Sequence, residues 1–147
     1  MTGGIILNCL YCEKGEKLES FTLKICELKT TILYLFKEQS YRGRVVLVLK
    51  RHAEELFELT RQEQEDFIAD LCLVTKAASN LFAADKINCG MYGDTVKHLH
   101  VHVVPKKEGK LDWNGIPQMN PNQVYLTDEE YEEMIRAYRD YIASKQD

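Results

Sequence analysis

Three of the chain's four histidines alternate with apolar residues in one short segment, His98-Leu-His-Val-His-Val-Val104. Successive side chains of a β-strand point to opposite faces, so His98, His100 and His102 would share one face. On that face, Cα atoms two residues apart are separated by about 6.8 Å, so adjacent rings can contact one phosphate group or one metal ion. A single histidine in a strand is usually structural, whereas three in strict alternation indicate a site of chemistry.

Two kinds of chemistry fit this histidine strand. One is metal binding, although a catalytic metal site usually adds a carboxylate or a further histidine, and here Val103, Val104 and Pro105 follow instead. The other is nucleophilic catalysis at phosphorus, in which a neutral imidazole attacks and a covalent nucleotidyl-histidine forms.

The composition of the chain limits which classes of protein it can belong to. The 147 residues suit one domain, and 45% apolar with 29% charged residues is typical of a globular protein. The longest apolar runs, such as residues 32–36, are far shorter than the roughly 20 residues of a membrane-spanning helix. The net charge of -4 disfavours nucleic-acid and membrane partners. The N-terminal residues lack the features of a secretory signal, so we expect a cytoplasmic protein.

Apolar spacing and capping residues predict the elements around the histidine strand. Thr60 with Glu63 is a capping box that begins a long central helix ending near Phe82. A second box, Thr127 with Glu130, begins a C-terminal helix at about residues 128–143. Strands are predicted at residues 21–28, 31–36, 44–49, 86–91 and 96–104. Short connections between successive strands favour an antiparallel sheet, so the predicted fold class is α+β.

We expect residues 1–147 to form a single domain. Residues 1–105 would be its core, because Pro105 cannot continue a central strand. Residues 106–126 contain glycines, prolines and Trp113, which predicts an irregular segment that either packs on the surface or reaches over a pocket. The C-terminal helix would complete residues 106–147.

The histidine strand resembles the signature of the histidine triad (HIT) superfamily of nucleotide hydrolases and transferases. Residues 88–97, Asn-Cys-Gly-Met-Tyr-Gly-Asp-Thr-Val-Lys, are similar to that family's approach to the triad. Residues 41–52 are similar to its upstream segment ending in Pro-Lys-x-His, and the whole resemblance covers about residues 9–105. It implies a HIT-like fold with an antiparallel sheet of about five strands and one long central helix, usually in a homodimer.

The resemblance also implies roles for individual residues. His100 would attack the α-phosphorus of a nucleotide, and His102 would hydrogen-bond the phosphate or its leaving group. The backbone carbonyl of His98 would hold the His100 ring with its attacking nitrogen unprotonated. The residues implied around the phosphate are Asn88, Gly93 and Thr95.

Hydrolysis is the activity that the resemblance favours, because transferase relatives tend to differ at the position of His102. It would act on a nucleoside α-phosphate linkage, in a dinucleoside polyphosphate or a nucleoside phosphoramidate, with no catalytic metal required. Two alternatives stay open: nucleotidyl transfer to a second substrate, and a nucleotide- or metal-binding regulatory protein with weak turnover.

Two positions at the implied substrate site depart from the family pattern. Asp94 stands where a phosphate-contacting glutamine is common, and Arg44 stands where a fourth histidine is common. A carboxylate there would repel an anionic substrate unless it were neutralised. We therefore expect Arg44 and Asp94 either to pair across the site or to contact solvent independently. Glu38 is a candidate ribose ligand, although its spacing to Arg44 is shorter than the family's.

A second group of residues has the composition of a metal site. Cys9 and Cys12 form a Cys-x-x-Cys pair, which by itself serves redox chemistry, metal binding or neither. Several family members combine such a pair with the upstream histidine and the first triad histidine to bind structural zinc. The corresponding histidines here are His52 and His98, and the set of four suits tetrahedral zinc with no open position for a substrate.

Overall fold

Five antiparallel strands form one sheet in the computed structural model, which describes residues 8–146. The strands are β1 at Thr22–Glu27, β2 at Thr31–Phe36, β3 at Val45–Leu49, β4 at Lys86–Gly90 and β5 at His100–Lys106. Their order across the sheet is β1-β2-β3-β5-β4, and every neighbouring pair is antiparallel. The predicted α+β class and five-stranded sheet are confirmed.

Two long helices follow the predicted capping boxes. They are α3 at Arg61–Leu81 and α4 at Asp128–Lys145, and two short helices precede the sheet, α1 at Leu10–Glu13 and α2 at Glu16–Glu19. At the start of α3, Thr60 Oγ1 accepts a hydrogen bond from the Glu63 amide at 3.1 Å, and the Glu63 carboxylate accepts one from the Thr60 amide at 3.0 Å. Both boxes satisfy backbone N–H groups that a helix start leaves unpaired.

Both faces of the sheet are buried. One face packs against α3 and α4 and contains the larger apolar cluster, to which the sheet contributes Leu33, Leu35, Val45, Leu47, Val101 and Val103. The opposite face carries a smaller apolar cluster of Ile32, Tyr34, Phe36, Val46 and Val48, covered by residues of the N-terminal segment. Because both faces of these central strands are buried, β2 and β3 consist almost entirely of apolar residues and do not alternate between apolar and polar side chains.

The histidine strand differs from its prediction at both ends. It begins at His100 instead of Val96 and continues through Pro105 to Lys106. At its start, the Leu99 amide donates to the Ala53 carbonyl, outside the ladder with β3. At its end, the pairing with β3 stops at Val103, so Pro105 has β4 as its one neighbouring strand in the ladder. A proline is tolerated at such an edge-like position because no second strand requires its amide.

The irregular residues 107–127 lie across one end of the sheet, between β5 and α4. Lys106, which is buried, donates through Nζ to the carbonyls of Asp112 and Gly115. The Val124 amide donates to Glu38 and its carbonyl accepts from the Gln39 amide, both in the loop after β2. Within residues 8–146, no helix has the length and apolar character needed to cross a membrane.

Candidate active site

A cleft of about 1020 Å³ opens on the histidine face of the sheet. His100 and His102 lie in its wall, next to Arg44. The predicted substrate-site residues Asn88, Gly93, Asp94 and Thr95 line the same cleft, together with apolar side chains that include Phe21, Phe36, Ile87, Tyr92, Ile116 and Tyr125. The fold therefore brings the sequence-predicted substrate residues together around two of the three alternating histidines.

His100 is held by a backbone hydrogen bond. Its Nδ1 lies 2.5 Å from the carbonyl oxygen of His98, which can only accept, so Nδ1 carries the ring proton. Burial lowers the pKa of His100, against an opposing effect of this hydrogen bond. The ring is thus a neutral imidazole whose Nε2 has a free lone pair, and Tyr11 packs against it with ring centroids 5.0 Å apart.

His102 has the opposite arrangement of its ring nitrogens. Its Nδ1 lies 3.1 Å from Nη2 of Arg44, a group that can only donate. Nδ1 is therefore the acceptor and the ring proton is on Nε2. Burial, with the nearby charge of Arg44, lowers the pKa of His102 to about 3, so this ring is also neutral. The centroids of the His100 and His102 rings are 5.5 Å apart.

The predicted pair between Arg44 and Asp94 is not formed. The ion pairs within 4 Å among residues 8–146 do not include either residue. Asp94 is exposed at the rim of the cleft, whereas Arg44 is directed inward to the ring of His102 and the carbonyl of Gln118, 2.6 Å from Nη1. The guanidinium therefore contacts two neutral acceptors. They belong to β5 and to the irregular segment, and the sequence analysis predicted neither contact.

Glu38, the candidate ribose ligand, lies in the wall of the cleft. Its oxygens accept hydrogen bonds from the Ser40 amide and hydroxyl and from the Val124 amide. These contacts anchor the irregular segment to the loop after β2. Glu38 thus has a structural role at the cleft wall, and contact with a ribose stays a prediction.

Several cleft residues escaped the sequence analysis. Tyr11 lies between the two cysteines of the Cys-x-x-Cys pair and packs against both His98 and His100. Phe36 stacks on Arg44 and meets His102 edge-on, with ring centroids 5.6 Å apart. The alternation of β2 could have placed Phe36 on the histidine face. Residues 115–117 and 119–120 line the cleft, so of the two alternatives for the irregular segment the structure supports the one in which it reaches the pocket.

The third alternating histidine, His98, does not line the cleft but lies in a cluster with Cys9, Cys12 and His52. The four potential ligand atoms lie within 4.8 Å of one another. His98 Nδ1 is 3.3 Å from Cys9 Sγ, 3.5 Å from Cys12 Sγ and 3.2 Å from His52 Nδ1. Ligands of tetrahedral zinc, with bonds of about 2.0 to 2.3 Å, are spaced by about 3.3 to 3.8 Å, so these separations are close to those that the ion requires.

The tautomer of His98 also suits metal binding. Its Nε2 donates to the Leu49 carbonyl at 2.8 Å, which leaves the Nδ1 lone pair directed at the cysteines. Burial lowers the pKa of His98 to about 4, so the ring is neutral. A metal-binding histidine is usually oriented in this way, by a carbonyl on its other nitrogen.

The family model of the HIT domain matches residues 17–109, more than half of the chain. The chain therefore belongs to the HIT domain family. The resemblance inferred from the histidine strand is confirmed.

Two curated relatives come from Schizosaccharomyces pombe. The asymmetrical bis(5'-nucleosyl)-tetraphosphatase is 29% identical over 79 residues, which are 50% of this chain and 43% of the relative. The adenosine 5'-monophosphoramidase hnt1 is 23% identical over 135 residues, covering 88% of this chain and 100% of the relative. This chain thus spans less than half of the first relative and the whole of the second.

Solved structures share the fold. A histidine triad protein from Sinorhizobium meliloti superimposes with a TM-score of 0.79 at 27% identity, covering 86% of this chain and 94% of that one. A histidine triad protein from Bradyrhizobium japonicum gives 0.80 at 24% identity, with 87% and 96% covered. A Zn-bound histidine triad family protein from Mycobacterium smegmatis gives 0.65 at 22% identity, with 94% and 95% covered.

Proposed function

We propose that this protein is a nucleotide hydrolase that cleaves the bond between a nucleoside α-phosphate and its leaving group. The main observation behind this proposal is that the two cleft histidines, His100 and His102, are opposite tautomers of neutral imidazole. His100 offers a lone pair at Nε2, while His102 offers an N–H at Nε2. A nucleophile and a hydrogen-bond donor side by side are what covalent catalysis at phosphorus requires.

The reaction proceeds in two steps. In the first, His100 Nε2 forms a bond to the α-phosphorus and the bond to the leaving group breaks, its electron pair departing with that group. His102 Nε2–H donates to the phosphate or the leaving group as negative charge develops there. In the second, water attacks the phosphorus and releases one proton to solvent, the bond to His100 breaks with its electron pair returning to Nε2, and the nucleoside monophosphate leaves with the neutral imidazole restored.

The lining of the cleft is consistent with a nucleotide as substrate. Apolar side chains dominate it, which suits the faces of a nucleobase, and a few polar groups lie near the histidines. Asn88, Thr95 and the amide near Gly93 would contact the phosphate. The curated relatives are named as acting on a dinucleoside tetraphosphate and a phosphoramidate, and both compounds carry a nucleoside α-phosphate with a leaving group.

This function can be tested by assaying a panel of candidate substrates and quenching each reaction rapidly without acid, because the covalent adduct is acid-labile. Dinucleoside polyphosphates and nucleoside phosphoramidates, radiolabelled at the α-phosphate, should each be assayed against purified protein and against His100→Asn. We expect release of the nucleoside monophosphate and an acid-labile label on His100 during turnover. Nucleotide binding without turnover of any member would favour the regulatory alternative, and transfer of the label to a non-water acceptor would favour a transferase.

We further propose that Cys9, Cys12, His52 and His98 hold structural zinc. The donor spacing and the orientation of His98 by Leu49 support this assignment. Four protein ligands complete a tetrahedral shell, so a zinc ion there would tie the N-terminal segment to the sheet rather than activate a substrate. Metal analysis of protein purified without chelators should find one zinc per chain, and its absence would contradict the assignment.

A homodimer is the assembly that we propose, through the edge of the sheet at β4. This strand has its ladder partner on one side, and its five residues are half-buried or exposed. Unpaired edge strands are prone to pair with another chain. Light scattering at micromolar concentration should give a dimer mass. Cys89→Arg in β4 should reduce this mass, whereas Ala143→Arg at an exposed position of α4 should not. A monomeric wild-type protein would contradict this assembly.

A further inference from the structure

Arg44 is a buried cation with no ion pair within 4 Å in the described residues, although the charge of Glu38 acts on it from further away. Its side chain is 2% exposed. Burial lowers the pKa of Arg44, a sign that the charge is costly at this position. The groups that the guanidinium contacts must therefore offset this cost, and they show what the side chain does in the cleft.

Each contact of the guanidinium serves to orient a neighbour. Nη1 donates to the Gln118 carbonyl at 2.6 Å, and Nη2 lies 3.1 Å from His102 Nδ1 and 3.5 Å from the Met119 sulfur. The group stacks on the Phe36 ring, 4.6 Å from its centroid. Nε is buried and has no hydrogen-bond partner in the described part of the chain.

The contact with His102 determines the tautomer of that ring. Arginine has five N–H donors and no acceptor, so a proton on His102 Nδ1 would point directly at another N–H group. The edge-on contact of Phe36 and the ring of His100 on the other side confine the imidazole. With Nδ1 excluded as a donor, the proton must be on Nε2.

We propose that Arg44 is a positioning residue that holds His102 in the neutral tautomer with its proton on Nε2, which makes His102 an obligatory donor in the cleft. That the acceptor is a nucleoside phosphate rests on the proposed function, whereas the control of the tautomer does not. The fixed charge behind the ring also polarises the N–H bond and strengthens its hydrogen bond.

Without Arg44, the His102 ring would lose this constraint. A proton on Nδ1 would leave a lone pair at Nε2, which repels a phosphate oxygen instead of donating to it. The ring would then spend part of its time in a form that opposes the reaction. We therefore expect the loss of Arg44 to lower kcat through His102 rather than to weaken substrate binding.

The tautomer can be measured directly, without a substrate. Long-range ¹H–¹⁵N spectra at pH 7 distinguish protonated from unprotonated ring nitrogens, and His102→Asn assigns the signals. We expect wild-type His102 to carry its proton on Nε2 and Arg44→Met to show a population with the proton on Nδ1. Arg44→Lys, whose ammonium group donates and cannot accept, should retain the wild-type tautomer, as should the exposed control Arg42→Met.

Two results of this experiment would overturn the proposal: a proton on Nδ1 in the wild-type protein, or an unchanged tautomer in Arg44→Met. The first needs no variant of Arg44, so the proposal stays testable even if Arg44→Met does not fold. An inactive protein with the expected spectra would contradict the proposed hydrolase function and leave the role of Arg44 intact.

Kinetics separate positioning from direct substrate binding. Arg44→Met should lower kcat by about 10- to 100-fold with KM changed by less than about 3-fold, the size expected for one misdirected donor. Arg44→Lys, with a charged donor, should recover part of the loss. In a His102→Ala background, Arg44→Met should cause little further loss, since both act through one ring. A rise in KM with kcat and the tautomer unchanged would mean that Arg44 binds the substrate directly.

Discussion

The backbone carbonyl of His98 accepts the Nδ1 hydrogen of His100 at 2.5 Å, while the ring of His98 faces the cysteine cluster, with Nδ1 3.3 Å from Cys9 Sγ. One residue therefore joins the candidate metal site to the candidate nucleophile. Its side chain would be held by the metal and its main chain orients the reactive ring. Substitution of the cysteines should consequently alter the orientation of the His100 ring in the cleft, even though the metal itself would not contact the substrate.

Removal of the metal should lower both stability and turnover. Cys9→Ser and Cys12→Ser should each lower the melting temperature by several degrees, because metal binding is coupled to folding. We expect kcat to decrease without being abolished, since the carbonyl of His98 loses its support but His100 remains. Thermal melts, zinc analysis and kinetics of the same preparations check this prediction.

The matched control for the cysteine variants is Cys72→Ser, at an exposed position of α3. It should keep the zinc content and the melting temperature of the wild type. Complete loss of activity on chelation, with the fold retained, would instead point to a catalytic metal and contradict the role given to His100.

Substitution of His100 should lower kcat more than substitution of His102. His100→Asn removes the nucleophile, so kcat should decrease by at least about 10³-fold while nucleotide affinity changes little. His102→Ala removes one donor and should cost about 10² to 10³ in rate. Single-turnover kinetics with isothermal binding measurements separate the two effects. Retention of full turnover in His100→Asn would exclude the covalent mechanism.

Lys106 should hold the irregular segment and Asn88 in place at the wall of the cleft. Its buried ammonium donates to the Asn88 side chain and to the carbonyls of Asp112 and Gly115, so Lys106→Met leaves these acceptors unpaired. We expect a loss of about 2 kcal/mol in the free energy of unfolding and a rise in KM larger than the fall in kcat. Denaturant unfolding and steady-state kinetics measure both.

The exposed neighbour Lys107 supplies the control for this buried lysine. Lys107→Met should leave stability and KM near their wild-type values. If Lys106→Met were as stable as the wild type, the three hydrogen bonds would contribute nothing to the fold.

The pair between Arg51 and Glu63 predicts a pH dependence of stability. Hydrogen bonds from Arg51 and from the Thr60 amide lower the pKa of Glu63 from 4.5 to about 2. The folded pKa is the lower one, so the contribution to stability is complete above pH 4.5 and is lost as pH falls towards 2. For a largely solvated pair we expect about 1 kcal/mol.

Glu63→Gln isolates this contribution. Measured on metal-free protein, so that protonation of the metal ligands has no effect, the variant should be less stable at pH 7. The difference from the wild type should shrink between pH 4.5 and pH 2. A difference that does not change with pH would show that the charge of Glu63 is not the cause.

Local patterns in the sequence were sufficient for the elements and for the main chemical groups. Alternation identified His100 and His102 as residues of one face, and capping residues identified the starts of α3 and α4. The Cys9 and Cys12 pair, with the family resemblance, identified the cluster that the structure assembles. These predictions succeed because strand alternation, helix capping and short ligand spacings depend on neighbours within a few residues.

The protonation pattern of the site was decided by tertiary structure. The tautomer of His102 depends on Arg44, 58 residues away in the chain, and Arg44 in turn meets Gln118, 74 residues away. From the sequence, charge was the one criterion for Arg44 and Asp94, which left open whether they pair or contact solvent independently, and composition left open whether the irregular segment packs on the surface or reaches the pocket. These contacts between distant segments depend on how the sheet, the β2–β3 loop and residues 107–127 pack together. Local sequence periodicity carries no information about that packing, because it reflects only neighbours within a few residues.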